Sequence, residues 1–270
     1  MSPMKTTNWQ VLRNVAVHDR IARKYDARHG EIFNEREQSR LREALTAARN
    51  AVMTRTRGLR ALDFGCGSGN LTSHLLALGL EVTACDVSRN FLDLLNVRYP
   101  EAKTLLLNGA DLFNVETRAF DLVATYSVLH HVPDYLSAVR EMARVCEVGG
   151  VVVIDHEQNE EFWIGSPFYR EFQNRALRTD WRKYLTPMNY FHRVWRMFDP
   201  RHANEGDIHV WPDDHIDWEA IKSEMARARF EIIREDDYLL FNRLYRPEVY
   251  DHYVGRCTDT KMMIFRKCAA

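Results

Sequence analysis

Cysteine is scarce and scattered. Cys66, Cys85, Cys146, Cys257 and Cys268 make an odd count in 270 residues, and no CxxC occurs. A disulfide framework and a thiolate zinc site are therefore poor readings, and a reducing, cytoplasmic setting is expected. Long apolar runs are missing too. Nothing approaches the roughly 18 consecutive apolar residues of a membrane span. The opening MSPMKTTNWQVLRN lacks the apolar core of a secretory signal. No stable membrane insertion is expected. Neither sign of charge dominates, with 37 Lys and Arg against 38 Asp and Glu for a formal net charge of −1. A general nucleic-acid binder would carry a basic excess, so no nucleic-acid partner is expected. Internal repeats and low-complexity tracts are absent. With 46% hydrophobic and 28% charged residues, what remains is an ordinary folded chain, long enough for one large α/β domain.

What is present is a rhythm. Val17, Ile21 and Tyr25 recur at helical spacing, and a second helical stretch covers about 35–50. Short apolar strands are then predicted at 59–64, 80–85, 104–107, 120–125 and 151–154. Helices at 71–78, 91–97 and 135–145 alternate with them, and Gly149–Gly150 is read as a turn. The β-branched run at 151–154 suits a central strand. The alternation breaks after Asp155 and returns as a helix at 218–230 and strands at 231–241 and 261–267. The fold class expected is α/β. A mainly parallel seven-stranded sheet carries helices on both faces, with a helical lid inserted after the fifth strand. One domain spans 1–270: N-terminal helices at 1–55, a core at 56–157, the insertion at 158–216 and the last helix and strands at 217–270.

The sharpest local signal is Asp63-Phe64-Gly65-Cys66-Gly67-Ser68-Gly69-Asn70, where a strand ends and a helix begins. Glycines there let the backbone approach a ligand, and the helix start offers free N–H groups. The spacing is GxGxG. A dinucleotide fingerprint would need glycine at Asn70, which disfavours a nicotinamide-dependent oxidoreductase. Asp86 ends the next strand, where a carboxylate can accept from both hydroxyls of a ribose.

This ordered set resembles the class I S-adenosylmethionine-dependent methyltransferases, in particular the small-molecule branch with ubiquinone/menaquinone-type and sugar O-methyltransferases. Residues 63–69 resemble that family's first motif and Asp86 its ribose-binding acid. Asn108-Gly109-Ala110-Asp111-Leu112 resembles the adenine segment, and 120–134 resembles the fourth strand with its following loop. The likeness covers about 17–157 and, more loosely, the last two strands. It implies a Rossmann-like fold, S-adenosyl-L-methionine as donor and S-adenosyl-L-homocysteine as product. It implies that Gly65, Gly67 and Gly69, with Cys66 among them, line the methionine half. Asp63 would fix the loop and the amine, Asp86 with Val87 the ribose, and Asp111 and Leu112 the adenine. Tyr126 and Ser127 would border the sulfonium, and Tyr25 would cover the cofactor.

Methyl transfer is an in-line displacement, and a hydroxyl acceptor needs a base. His130 and His131 follow the fourth strand. Asp155 and His156 end the fifth. These four are the catalytic candidates, with Asp155 holding an imidazole or the acceptor. The insertion mixes aromatics with arginines, among them Arg193 and Trp195, which suits an amphiphilic or anionic small-molecule acceptor. His209, Asp213 and His215 stand at no recognised ligand spacing, so no metal is expected and the stretch reads as a loop touching the acceptor. O-methylation is the preferred reading. N- or C-methylation and a non-catalytic, cofactor-binding partner subunit stand beside it. The acceptor's identity and the oligomeric state, a homodimer included, stay open.

Overall fold

In the computed structural model the described residues are 29–53, 58–109, 111, 112, 114–176 and 215–269, with 16 and 194 as isolated positions. The early helical face with Tyr25, residues His209 and Asp213, and most of the insertion, Arg193 and Trp195 included, lie outside them.

Strands β1 (Arg60–Phe64), β2 (Glu81–Asp86), β3 (Lys103–Leu106), β4 (Phe120–Tyr126), β5 (Cys146–Gln158), β6 (Phe230–Tyr238) and β7 (Thr260–Lys267) form one seven-stranded sheet. Its order is β3-β2-β1-β4-β5-β7-β6. The first five pair in parallel, and β7 runs antiparallel to both β5 and β6. The helices are α1 (Glu35–Ala51), α2 (Asn70–Ala77), α3 (Arg89–Arg98), α4 (Tyr135–Val145), α5 (Glu160–Ile164), α6 (Pro167–Ala176), α7 (Trp218–Arg227) and α8 (Pro247–Tyr253). Several begin where a side chain takes up a loose N–H. Asn34 caps α1, Ser88 caps α3, Asp134 caps α4 and Asp217 caps α7.

Strand alternation divides the core in two. Ala61, Leu122, Val151, Val153 and Ile264 point at α1, α2 and α3. Their neighbours Leu62, Val123, Val152, Ile154 and Phe265 point at α4 and α7. A strand buried on both faces reads as an unbroken apolar run, which is why period-two patterning is invisible in β4 and β5.

Two corrections concern β5. The strand begins at Cys146 and not at Val151, and Gly149 and Gly150 lie inside it where its pairing with β4 skips from Cys146 to Val151. A Cβ on Gly150 would stand 2.8 Å from the Asp121 carbonyl oxygen, so glycine lets β5 press against β4. The strand also runs on past Ile154. Its register against β7 slips between Ile154 and Glu157, and His156 there has a φ of 63°. This is a bulge: one extra residue on β5, which reverses the facing of every residue after it.

The described part of the insertion packs sideways. Tyr169, Phe172 and Ala176 join Leu239, Tyr250, Tyr253 and Cys257 in a small separate core with α8. Helix α8 is absent from the sequence prediction, although Pro247 at its start is a favourable first helical residue. Among the described residues, no helix is long and apolar enough to cross a membrane.

Candidate active site

The sheet order reverses between β1 and β4, and ligands of such sheets bind beyond the carboxyl ends of strands at that point. A crevice opens there. Its floor is the turn from β1 into α2, where Gly65, Gly67 and Gly69 have φ of 77°, 49° and 95°, a region that favours glycine. At Gly65 space is also short, since a Cβ would lie 2.5 Å from a methyl of Val128. Gly67 is the reverse case. It lines the crevice, and a Cβ there would meet nothing within 4 Å, so its absence leaves the backbone open to a ligand. The amides of Gly65 and Cys66 both donate to the Cys85 carbonyl at 2.9 Å, tying the turn to β2.

Asp86 stands beside this turn. Its Oδ2 accepts from the Gly67 amide at 2.9 Å and its Oδ1 from the Ser88 amide at 2.8 Å. Val87 continues the wall, and Asp111 and Leu112 close that end. Asp111 exchanges two bonds with Asn108, at 3.0 and 3.1 Å. Glu141 of α4 also lines the crevice. It accepts from the Leu112 amide at 3.0 Å. Arg144, bonded to both of its oxygens, holds its carboxyl below the usual range against a counteracting burial.

Two residues expected at the cofactor stand behind the crevice wall. Gly69 supports the start of α2, where a Cβ would meet the Tyr99 ring at 2.7 Å. Asp63 is fully buried. One of its oxygens accepts from the Thr72 hydroxyl at 2.6 Å, and the other has no partner among the described residues. Burial pushes its carboxyl up to about 7, against the Thr72 bond and with help from the nearby Asp86 charge.

The opposite end of the crevice is formed by Tyr126, Ser127, Val128 and His131. Ser127 has a φ of 59°, a conformation that costs a non-glycine residue of order 1–3 kcal/mol and that clusters at functional sites. His130 and His131 sit on the short 3-10 turn Leu129–His131, with ring centroids 4.1 Å apart. Glu157 is wholly buried beneath this turn. Its Oε1 accepts from the amides of Val128 and Leu129 at 2.9 and 2.7 Å, and its Oε2 meets His130 Nδ1 at 2.8 Å.

The expected partnership of Asp155 with a histidine therefore needs correction. Asp155 faces α1. Its Oδ2 accepts from Arg40 at 2.9 Å and its Oδ1 from the Tyr238 hydroxyl at 3.1 Å. Arg40 also binds both oxygens of Glu37, and Glu37 accepts from the Tyr126 hydroxyl at 2.8 Å. Burial raises the Asp155 carboxyl, with Arg40 opposing. His156 stacks on Tyr126 with centroids 4.5 Å apart, and burial pulls its imidazole down to about 4 despite Asp155. Asp155, His156 and His130 do not line the crevice; His131 does. Of the described pieces of the insertion none reaches it, and His215 lies against Trp163 at 5.4 Å between centroids.

Sequence reasoning missed Ile32, Phe33, Asn70 and Glu141 at the crevice, and Glu157 beneath it. Asn70 stood in the motif and was used only to reject a fingerprint. Glu157 follows two named candidates, and only the bulge turns it toward the histidines.

Residues 62–154 match the family model described as a methyltransferase domain. A ubiquinone biosynthesis O-methyltransferase of Alkalilimnicola ehrlichii is 29% identical over 138 residues, 48% of this chain and 56% of that protein. A demethylmenaquinone methyltransferase of Staphylococcus aureus is 33% identical over 158 residues, 57% of this chain and 62% of that protein. The chain thus spans little more than half the length of these curated relatives. Among solved structures, an S-adenosylmethionine-dependent methyltransferase of Methanosarcina mazei superposes with a TM-score of 0.54. It is 17% identical and covers 82% of this chain and 97% of its own. That likeness concerns the fold.

Proposed function

We propose that this chain is a class I S-adenosylmethionine-dependent methyltransferase, as the match of residues 62–154 to a methyltransferase domain supports, and that it methylates a small molecule at a hydroxyl, with His130 as base. The observation that carries the reading is the Glu157–His130 pair standing beside the crevice. The two relatives named for ubiquinone and menaquinone chemistry support a small-molecule acceptor over a macromolecule.

The residues present fit the donor. Gly67 leaves open the space a side chain would fill, and the Asp86 carboxylate lines the crevice at the end of β2, where an acid suits a vicinal diol. Gly65 to Gly67 would pass the methionine half, Asp86 and Val87 the ribose, and Asp111, Leu112 and Glu141 the adenine. Tyr126 and Ser127 would border the sulfonium. When bound, S-adenosylmethionine supplies an electrophilic methyl group on sulfur.

An alcohol is a poor nucleophile until its proton begins to leave. Glu157 accepts from His130 Nδ1, which leaves the lone pair on Nε2. A buried carboxylate that fixes the tautomer and steadies the imidazolium is the arrangement found behind other histidine bases. His131, on the crevice wall, orients the acceptor toward the methyl. The test is single-turnover methyl transfer against pH with hydroxyl acceptors. His130→Gln is expected to lose about 10²–10⁴-fold in rate and the acidic limb of the profile. If His130→Gln and His131→Gln both keep wild-type rates at every pH, a nitrogen or carbon acceptor replaces the hydroxyl.

A further inference from the structure

We propose that Asn70 binds the carboxylate of the cofactor's methionine half through its side-chain Nδ2, a role that rests on the methyltransferase reading above. Asn70 is the first residue of α2 and lines the crevice. Its amide is not free to flip, because a chain of hydrogen bonds fixes its polarity. The Ile32 carbonyl can only accept, so the group facing it at 3.1 Å is the Gln38 Nε2 donor. Gln38 Oε1 is then the acceptor for His74 Nε2 at 2.9 Å. Burial lowers the His74 imidazole, and the nearby Arg42 charge adds to this. The ring is neutral near pH 7 and carries its proton on Nε2. The second hydrogen of Gln38 Nε2 points at Asn70 Oδ1, 2.9 Å away. Nδ2 of Asn70 is left as a pure donor, shielded from water and without a partner among the described residues.

A buried donor without an acceptor is costly, and folded proteins keep such groups mainly where a ligand completes them. The crevice says which ligand group that is. Its polar lining is electrostatically lopsided. Asp86, Asp111 and Glu141 gather at the end formed by β2, β3 and α4, where an anion would be repelled and where amines and hydroxyls are at home. Beyond the Gly67 amide, which is given to Asp86, the lining turns to the start of α2 and the Asn70 side chain with its donor. Helix starts favour negative charge. The donor has one carboxylate, on its methionine half, and the start of α2 with the Asn70 donor suits it. The relay through Gln38 also ties the site to Ile32, another crevice residue.

The experiment is calorimetry on the full chain with two probes. S-adenosylhomocysteine carries the amino-acid group; 5′-methylthioadenosine lacks it. Asn70→Ala is expected to weaken S-adenosylhomocysteine about tenfold or more, as for a lost bond to a charged group, and to leave 5′-methylthioadenosine within twofold. Asn70→Asp, which sets like charges together, is expected to lose more for the first probe only. Equal weakening of both probes, or no change with either, overturns the proposal. Circular dichroism and a melting curve on each variant separate misfolding from lost contact, and His74→Gln provides a milder second variant for the same comparison. A wild-type chain that binds neither probe rejects the methyltransferase reading itself, an outcome distinct from a failed split between the probes.

Discussion

Asp155 and Glu157 stand two residues apart on β5, both wholly buried, yet they serve opposite faces of the sheet. Asp155 faces α1, where Arg40 neutralises it and Tyr238 donates to it. The Arg40 guanidinium also lies 3.9 Å from the centre of the Tyr238 ring. Glu157 faces the loop after β4, where two amides and one imidazole complete it. The first carboxylate has a permanent counter-charge, so it fastens structure. The second meets backbone amides and an imidazole in the loop beside the crevice, so it suits chemistry. Strict alternation would put both on one face. The extra residue at His156 parts them, at the cost of a left-handed backbone for a histidine.

Removing the counter-charge breaks the comparison most severely. Arg40→Met leaves Asp155 and Glu37 buried without compensation, and is expected to cost about 3–4 kcal/mol of stability. Urea unfolding at pH 7 measures it. A cost below about 1 kcal/mol would mean that water reaches the cluster and that it fastens little. Next in size is Glu157→Gln. The substituted side chain can still accept from Val128 and Leu129 through its carbonyl oxygen, but its amide presents a donor to His130 Nδ1. The imidazole must then turn its lone pair inward and its proton outward. Methyl transfer is expected to fall about 10²-fold or more while S-adenosylhomocysteine affinity holds, since both the tautomer and the support of the imidazolium are lost. Unchanged single-turnover rates would reduce Glu157 to a brace for the loop.

Most of the fold was legible because it rests on local signals. Each βα unit of the core announces itself by an apolar run, a glycine or a cap, and all seven strands and the sheet's parallel character follow from that rhythm. The crevice was legible where it is built from one contiguous turn, Gly65 to Gly67, or from strand ends, such as Asp86 and Ser127. It was illegible where it depends on register or on contacts distant in sequence. The facing of Glu157 depends on a bulge that no residue type requires. Ile32 and Phe33 reach the crevice only because α1 docks on the sheet through Glu37 and Arg40, and nothing local to residues 32 and 33 signals it. The aromatics Tyr169 and Phe172 looked like a lid; their burial with Tyr250 and Tyr253 depends on α8, some eighty residues away in sequence.

His156, the residue that separates the two carboxylates, carries the smallest of these effects and the one most specific to the bulge. Its imidazole is pulled from about 6.5 down to about 4, chiefly by burial, with Asp155 opposing. Between those two values the unfolded chain binds a proton that the folded chain refuses, so stability rises with pH across this window. The contribution is fully present above pH 6.5 and is lost as pH falls through 4. Its full size is roughly 3 kcal/mol. Asp63 acts in the opposite sense, since its carboxyl is raised to about 7 and its ionisation as pH rises costs the folded state. The two slopes partly cancel in the wild type, so the informative quantity is a difference between proteins. His156→Asn keeps a residue that tolerates the left-handed backbone and removes the titration. Urea midpoints of wild type and variant, measured from pH 4 to 7.5, are expected to converge as the pH falls. A gap that stays constant over the whole range would show that His156 matters to the bulge by its shape alone.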